Sequence, residues 1–230
     1  MVVVNGTLLS QERHMDRTQV VEAIRNGGIV PAIRVETERQ ALDALGALHE
    51  GGISLAEIAL STPGSVAFLR SAVAHFESTM ILGTGSVLDA ETARISILEG
   101  AQFIVSPVFD PGTIQICRRY NIAVLPGALT PTEISAAWTM GADIVKVFPA
   151  NTMGGPGYIR AVKAPMPQIE LMPMGGVTLD TAAAYLKSGA AALGVGSDLV
   201  NVHALRDENI REITAKARCY DQRIREARRA

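Results

Sequence analysis

A glycine recurs where each helical stretch gives way to a strand, and this recurrence constrains the fold more than any other feature of the chain. Gly51-Gly52-Ile53, Gly100-Ala101-Gln102-Phe103, Gly141-Ala142-Asp143-Ile144 and Gly189-Ala190-Ala191 repeat the device. Glycine takes the left-handed conformation that ends a helix without a Cβ clash. Between these stops, short β-branched runs alternate with apolar stripes of helical period. Strands are expected over residues 29–34, 55–60, 80–83, 103–106, 122–125, 143–150, 169–174 and 191–195. Helices are expected over 37–49, 65–76, 89–98, 111–120, 131–140, 158–163 and 179–187, with Thr37 as an N-cap. Strands and helices linked this tightly imply parallel pairing and right-handed crossovers, and eight such units close into a (β/α)8 TIM barrel. An N-terminal helix over 10–28, with Val20, Val21, Ala23 and Ile24 as its stripe, is expected to cap the first strand. A charged C-terminal helix over 207–230 aligns Ile210, Ile213, Ala217 and Tyr220 against the wall. The alternative, an open doubly wound sheet, lacks its Gly-x-Gly-x-x-Gly loop after the first strand.

No linker divides the 230 residues, so residues 1–230 are expected to form one domain. A net charge of −2 gives no footprint for nucleic acid or an anionic membrane, although arginines cluster in the tail. Cys117 and Cys219 are too few and too far apart for a metal knuckle or a redox pair. No apolar run approaches the ~20 residues of a membrane span, and Met1-Val-Val-Val is shorter than a signal peptide's apolar core. A cytoplasmic location is the expectation.

Within that frame Lys146 is an anomaly. It stands in Asp-Ile-Val-Lys-Val-Phe-Pro-Ala, residues 143–150, a β-branched run that reads as a buried parallel strand closed by Pro149. Alternation puts Ile144, Lys146 and Phe148 on one face and Val145 and Val147 on the other. An ammonium held among apolar groups is driven toward its neutral amine, which attacks carbonyl carbon to form a Schiff base. The competing use is a lysine that snorkels to the strand end and pairs with a carboxylate. Lys163, Lys187 and Lys216 read as polar helix faces.

Glu57 interrupts a second apolar strand, and alternation turns Glu57, Ala59 and Ser61 inward while Ile58 and Leu60 face the helices. A carboxylate there can pair with Lys146 or shuttle the protons of imine chemistry. Arg34 ends the first strand, where it can bind a substrate carboxylate or pair with Glu57. Gly83-Thr84-Gly85-Ser86 offers hydroxyls and close backbone after the third strand. Barrels commonly hold phosphate after strands seven and eight, and here those loops are Gly175-Gly176-Val177-Thr178 and Gly194-Val195-Gly196-Ser197-Asp198. Gly175, Gly176, Gly196 and Ser197 are the candidate cradle for a phosphorylated substrate. His14, His49, His75 and His203 lie too far apart for a metal site or a triad, and Trp138, Met172 and Met174 read as packing. Neither metal nor cofactor is implied.

From about residue 29 to 200, the chain resembles the lysine-dependent aldolases acting on 2-keto-3-deoxy-6-phosphogluconate, its galactonate epimer or 4-hydroxy-2-oxoglutarate. The resemblance is carried by Val145-Lys146-Val147-Phe148-Pro149-Ala150, Glu57 with its flanks, Gly83-Thr84-Gly85-Ser86-Val87-Leu88, Gly175-Gly176-Val177 and Gly196-Ser197-Asp198-Leu199. It implies a Schiff base at Lys146 with the keto carbon of pyruvate, acid–base chemistry at Glu57, Phe148 lining the pocket, and a homotrimer. Phosphogluconate-type members carry arginine where Ser61 stands, and threonine where Ser86 and Met174 stand. Glu57-Ile58-Ala59-Leu60-Ser61-Thr62-Pro63 is closer to the phosphogalactonate branch, which has Glu-Ile-Pro-Leu-Asn-Ser-Pro and an arginine at the position of Arg34. The rival readings are a phosphosugar epimerase or synthase on the same barrel, with Lys146 a cationic clamp, and a catalytically idle binding relative.

Overall fold

The computed structural model describes residues 15–77, 79–206 and 209–229. Residues 10–14 of the expected first helix, His14 among them, and residues 207, 208 and 230 of the expected tail helix lie outside the described residues.

The chain is an α/β fold in which all strand pairings are parallel. Helix α1 (Arg17–Gly27) leads into β1 (Ile29–Ile33), α2 (Glu38–Glu50), β2 (Leu55–Ala59), α3 (Ser65–Phe76), β3 (Ile81–Gly85) and α4 (Ala90–Leu98). Then come β4 (Phe103–Val105), α5 (Pro111–Arg119), β5 (Ala123–Leu125), β6 (Gly127–Ala128), α6 (Pro131–Thr139) and β7 (Val145–Val147). A 3-10 turn (Ala150–Met153), α7 (Pro156–Lys163), β8 (Leu171–Pro173), α8 (Leu179–Lys187), β9 (Leu193–Val195), α9 (Val202–Arg206) and α10 (Ile210–Arg229) complete it. One sheet runs β5-β4-β3-β2-β1-β9 and the other β6-β7-β8, with a parallel bridge between Met174 and Gly194.

Nine strands therefore stand among the described residues where eight were expected. The difference arises at Pro126, which has no N–H for a ladder. β5 pairs with β4 before it and β6 with β7 after it, while the Pro126 carbonyl accepts from the Lys146 N–H at 2.9 Å.

Side chains bind the first amides of successive helices. Asp16, Thr37, Asp89, Asp110, Thr130 and Thr178 each accept from an N–H in the first turn. The helix over 10–28 thus begins at Arg17 in the structure, because the extended Asp16 caps it and closes a box with Gln19. Gly52, Gly100, Gly141 and Gly189 hold φ between +92° and +98°, the left-handed stop read from the sequence. Gly51 is right-handed instead and is needed for closeness, since a Cβ there would collide with Ala217 of α10.

Two apolar layers result from alternation. Ile33, Ile58, Leu82, Ile104, Val145 and Val147 belong to the core that meets the helices. Val30, Ala32, Phe103, Val105, Leu125, Ile144 and Met172 form a second cluster on the opposite strand faces, against which Phe148 packs. Helix α10 buries Ile213, Ala217, Tyr220 and Ile224 against α2 and α8. Its end is tied down by Arg228, which donates to the carbonyls of Asn26 and Arg25 and, at 3.2 Å, to that of Ala191. Trp138, read as packing, is 44% exposed on α6.

Candidate active site

The two anomalous charges lie in the inner layer. In β7, Lys146 sits between Gly127 of β6 and Met172 of β8, is 3% exposed, and holds its ammonium 4.9 Å from the centroid of the Phe148 ring. In β2, Glu57 sits between Ala32 of β1 and Gly83 of β3 and is 1% exposed. Its carboxyl occupies the space left by Gly85, where a Cβ would overlap Oε1. Oε2 of Glu57 is buried with no hydrogen-bond partner among the described residues. This carboxyl is therefore not consumed by the fold, in contrast to Asp143, which binds Arg17 at 2.5 Å and the Val124 N–H at 3.0 Å.

Burial dominates the protonation of both groups. It lowers the pKa of Lys146 from 10.5, with Glu57 opposing the change and Arg34 adding to it. It raises that of Glu57 from 4.5, against the attraction of Lys146 and Arg34. Each shift moves the pair toward the neutral amine and the neutral acid, the forms that attack a carbonyl and donate a proton.

A cavity of ≈ 520 Å³ opens at the C-terminal ends of β1, β8 and β9. Its wall includes Arg34, Phe148, Gly175, Gly176, Gly196 and Ser197, six of the residues singled out in the sequence. The glycines have steric reasons to be there. Gly175 and Gly176 hold φ of +89° and +71°, and a Cβ on Gly175 would stand 3.1 Å from Pro149 Cα. After Gly196 the chain forms a turn, with the Leu199 and Val200 N–H groups both donating to the Gly196 carbonyl at 3.0 Å. Neither Lys146 nor Glu57 is part of this wall, and Phe148, whose ring stands 4.9 Å from the Lys146 ammonium, connects Lys146 to it.

Ser61 and Ser86 are placed differently. β2 ends at Ala59, so Ser61 stands in the exposed turn beyond it, off the cavity wall, where strand alternation no longer sets its direction. Ser86 is half-buried after β3 with φ of +61° and is also off the wall. His49, His75 and His203 are exposed on helices. Among the described residues no three His, Cys, Asp or Glu side chains converge as metal ligands, and no helix is long and apolar enough to cross a membrane. The wall also contains Met174, read as packing and as a departure from the threonine of phosphogluconate-type members, and Lys216, read as a polar helix face. The signal for Lys216 was faint: it follows Ile213 by three residues and precedes Tyr220 by four, beside the stripe that α10 buries.

Comparison with known proteins points to one enzyme family. Residues 20–216 match the model of a family described as KDPG and KHG aldolase. A 2-dehydro-3-deoxy-phosphogluconate aldolase of Treponema pallidum is 30% identical over 199 residues, 85% of this chain and 93% of that protein. A 2-dehydro-3-deoxy-6-phosphogalactonate aldolase of Escherichia coli is 30% identical over 197 residues, 85% of this chain and 96% of that protein. A solved KDPG aldolase of Legionella pneumophila, with pyruvate captured as a covalent carbinolamine, superposes with a TM-score of 0.83 at 26% identity, covering 88% of this chain and 98% of that one.

Proposed function

The chain belongs to the KDPG and KHG aldolase family, and from that premise we propose that Lys146 is its Schiff-base lysine and Glu57 its proton carrier. The activity is that of a class I aldolase, a lyase that splits a 2-keto-4-hydroxy acid into pyruvate and an aldehyde. The observation that carries the assignment is the burial of Lys146 and Glu57 in one inner layer, with Oε2 of the carboxyl lacking a hydrogen-bond partner among the described residues.

The neutral Lys146 amine adds to the keto carbon, and the carbinolamine loses water to give an iminium. Glu57, left as a carboxylate once its proton has gone to the hydroxyl that leaves the carbinolamine, takes the proton of the C4 hydroxyl through a water as the C3–C4 bond breaks. The bonding pair passes into the iminium, leaving an enamine and the aldehyde. Protonation at C3 and hydrolysis return pyruvate and the free amine. The iminium is itself the electron sink, so the reaction requires no cofactor. Arg34 has its guanidinium at the cavity rim beside Gly196 and is the partner for the substrate carboxylate. Phe148 packs against the pyruvate end, and Ser86 offers a hydroxyl above β3.

The two sheets are read as one closed (β/α)8 barrel and the chain as one domain. The Met174–Gly194 bridge and the Asp143 N–H donating to Val124 at 3.1 Å support closure at the two seams. A homotrimer fits the exposed Ile95, Leu98, Tyr120 and Trp138 on neighbouring outer helices and turns. The free thiols of Cys117 and the exposed Cys219 suit a reducing cytoplasm.

Pyruvate with borohydride should label the protein irreversibly at Lys146, read by peptide mass spectrometry. Label at Lys163, Lys187 or Lys216 instead, or none at all, would discard the imine assignment.

The acceptor half is read as phosphorylated, held by Gly175, Gly176, Gly196 and Ser197, whose backbone can approach an anion closely. Selectivity between gluconate and galactonate epimers is assigned to the space beside Ser61. Ser61→Arg, placed in the turn after the Glu57 strand, should change the epimer ratio of kcat/KM by about tenfold. An unchanged ratio would place discrimination elsewhere.

A further inference from the structure

We infer that Lys216, carried on the C-terminal helix, determines specificity by binding the phosphate of the substrate's acceptor half. The inference rests on the reading of the glycine loops as a phosphate cradle. It adds a charged group to that cradle from an element distant in sequence.

Helix α10 buries Ile213, Ala217 and Tyr220, which fixes its rotation and brings the intervening Lys216 to the wall shared with Gly175, Gly176, Gly196 and Ser197. Its ammonium lies 3.7 Å from Asp198 Oδ1, and Asp198 Oδ2 accepts from the buried Tyr220 hydroxyl at 2.5 Å. Tyr220 thus orients the carboxylate, and the carboxylate keeps the ammonium over the loop that follows β9. The Lys216 and Asp198 side chains are 35% and 29% exposed, so this long ion pair adds little to stability. It is also loose enough for the lysine to exchange a carboxylate for a phosphate oxygen without leaving the wall.

Charge balance favours that exchange. Arg34 and Lys216 contribute two positive charges to the wall and Asp198 one negative charge, a net of +1. With Arg34 engaged by the substrate carboxylate, Lys216 is the remaining cation of the wall that can meet a phosphate dianion, and the hydroxyl of an unphosphorylated sugar acid gives it no charge to pair with. Lysine suits the position because its stem is flexible and its head is a point charge with three donors.

The test compares kcat/KM for 2-keto-3-deoxy-6-phosphogluconate and 2-keto-3-deoxy-6-phosphogalactonate with that for their unphosphorylated counterparts. It uses the native protein, Lys216→Met and Lys216→Arg. Borohydride trapping of pyruvate, which carries no phosphate, confirms an intact Lys146 in each variant. In Lys216→Met the preference for the phosphorylated substrate should fall about tenfold, mainly through KM, the scale of one charge-assisted hydrogen bond. Lys216→Arg should retain most of the preference. A native protein that favours phosphorylated substrates while Lys216→Met keeps the full preference overturns the role of Lys216 and leaves the glycine cradle standing. Equal loss in both variants overturns the charge argument. A native protein without any preference overturns the cradle and Lys216 together.

Discussion

Lys146→Met should abolish aldol cleavage, lowering kcat/KM by roughly 10⁵-fold or more, the scale on which a covalent nucleophile contributes. Methionine keeps most of the stem and packs against Phe148, so the variant should fold. Its thermal midpoint should hold or rise, because the native site keeps an amine 3% exposed at a desolvation cost that methionine does not bear. Lys146→Arg should not rescue turnover, since a guanidinium stays protonated and cannot attack a carbonyl. Stopped assays and thermal scans on the two variants decide the matter. Residual kcat/KM within about 100-fold of native in Lys146→Met would make the lysine a cationic clamp rather than a nucleophile.

The site departs from the rules that hold the rest of the chain together. Two half-buried carboxylates elsewhere are partnered: Asp143 has Arg17 and an amide, and Asp198 has Tyr220 and Lys216. Lys146 and Glu57 instead influence each other through space, and Glu57 keeps a buried oxygen without a partner. Groups withheld from structural pairing are available to a substrate, and buried groups of perturbed pKa concentrate where chemistry occurs.

Periodicity and glycine stops made most of the fold legible, to the residue for α3 and α8. What failed was the length of strands at both ends: those expected over 169–174 and 191–195 begin only at Leu171 and Leu193. The strand read from Asp143 begins only at Val145, because Asp143 turns to its side-chain partners, and it ends at Val147, short of the Pro149 read as its close. Strand alternation was carried past its range at Ser61, where β2 has already ended. The split at Pro126 follows from a change of partner strand, which no local pattern encodes. In the site, Lys146 and Glu57 were legible because charge in an apolar strand is a local contradiction. Lys216 was not, because a lysine on an amphipathic helix contradicts nothing, and its approach to the loops after β8 and β9 is set by the rotation of α10.

Glu57→Gln should lower kcat by about 10²- to 10⁴-fold, the usual worth of a positioned acid–base group, while leaving the shape of the site intact. Glutamine fits the space beside Gly85 but cannot take the C4 hydroxyl proton. Pyruvate trapping at Lys146 should survive at a reduced rate, separating loss of proton transfer from loss of the amine. A stability measurement supplies a second, independent readout. Burial raises the folded-state pKa of Glu57 above 4.5, so in the window between the unfolded and folded values the native state holds a proton that the unfolded chain has released. The contribution of this carboxyl to stability is therefore full below 4.5 and is lost as pH rises through the folded value. Glutamine does not titrate, so the thermal midpoint of the variant relative to the native protein should increase as pH is raised from about 4 to 8. Near-native turnover, together with a midpoint difference that stays flat across this range, would reduce Glu57 to a packing residue and leave proton transfer to another group.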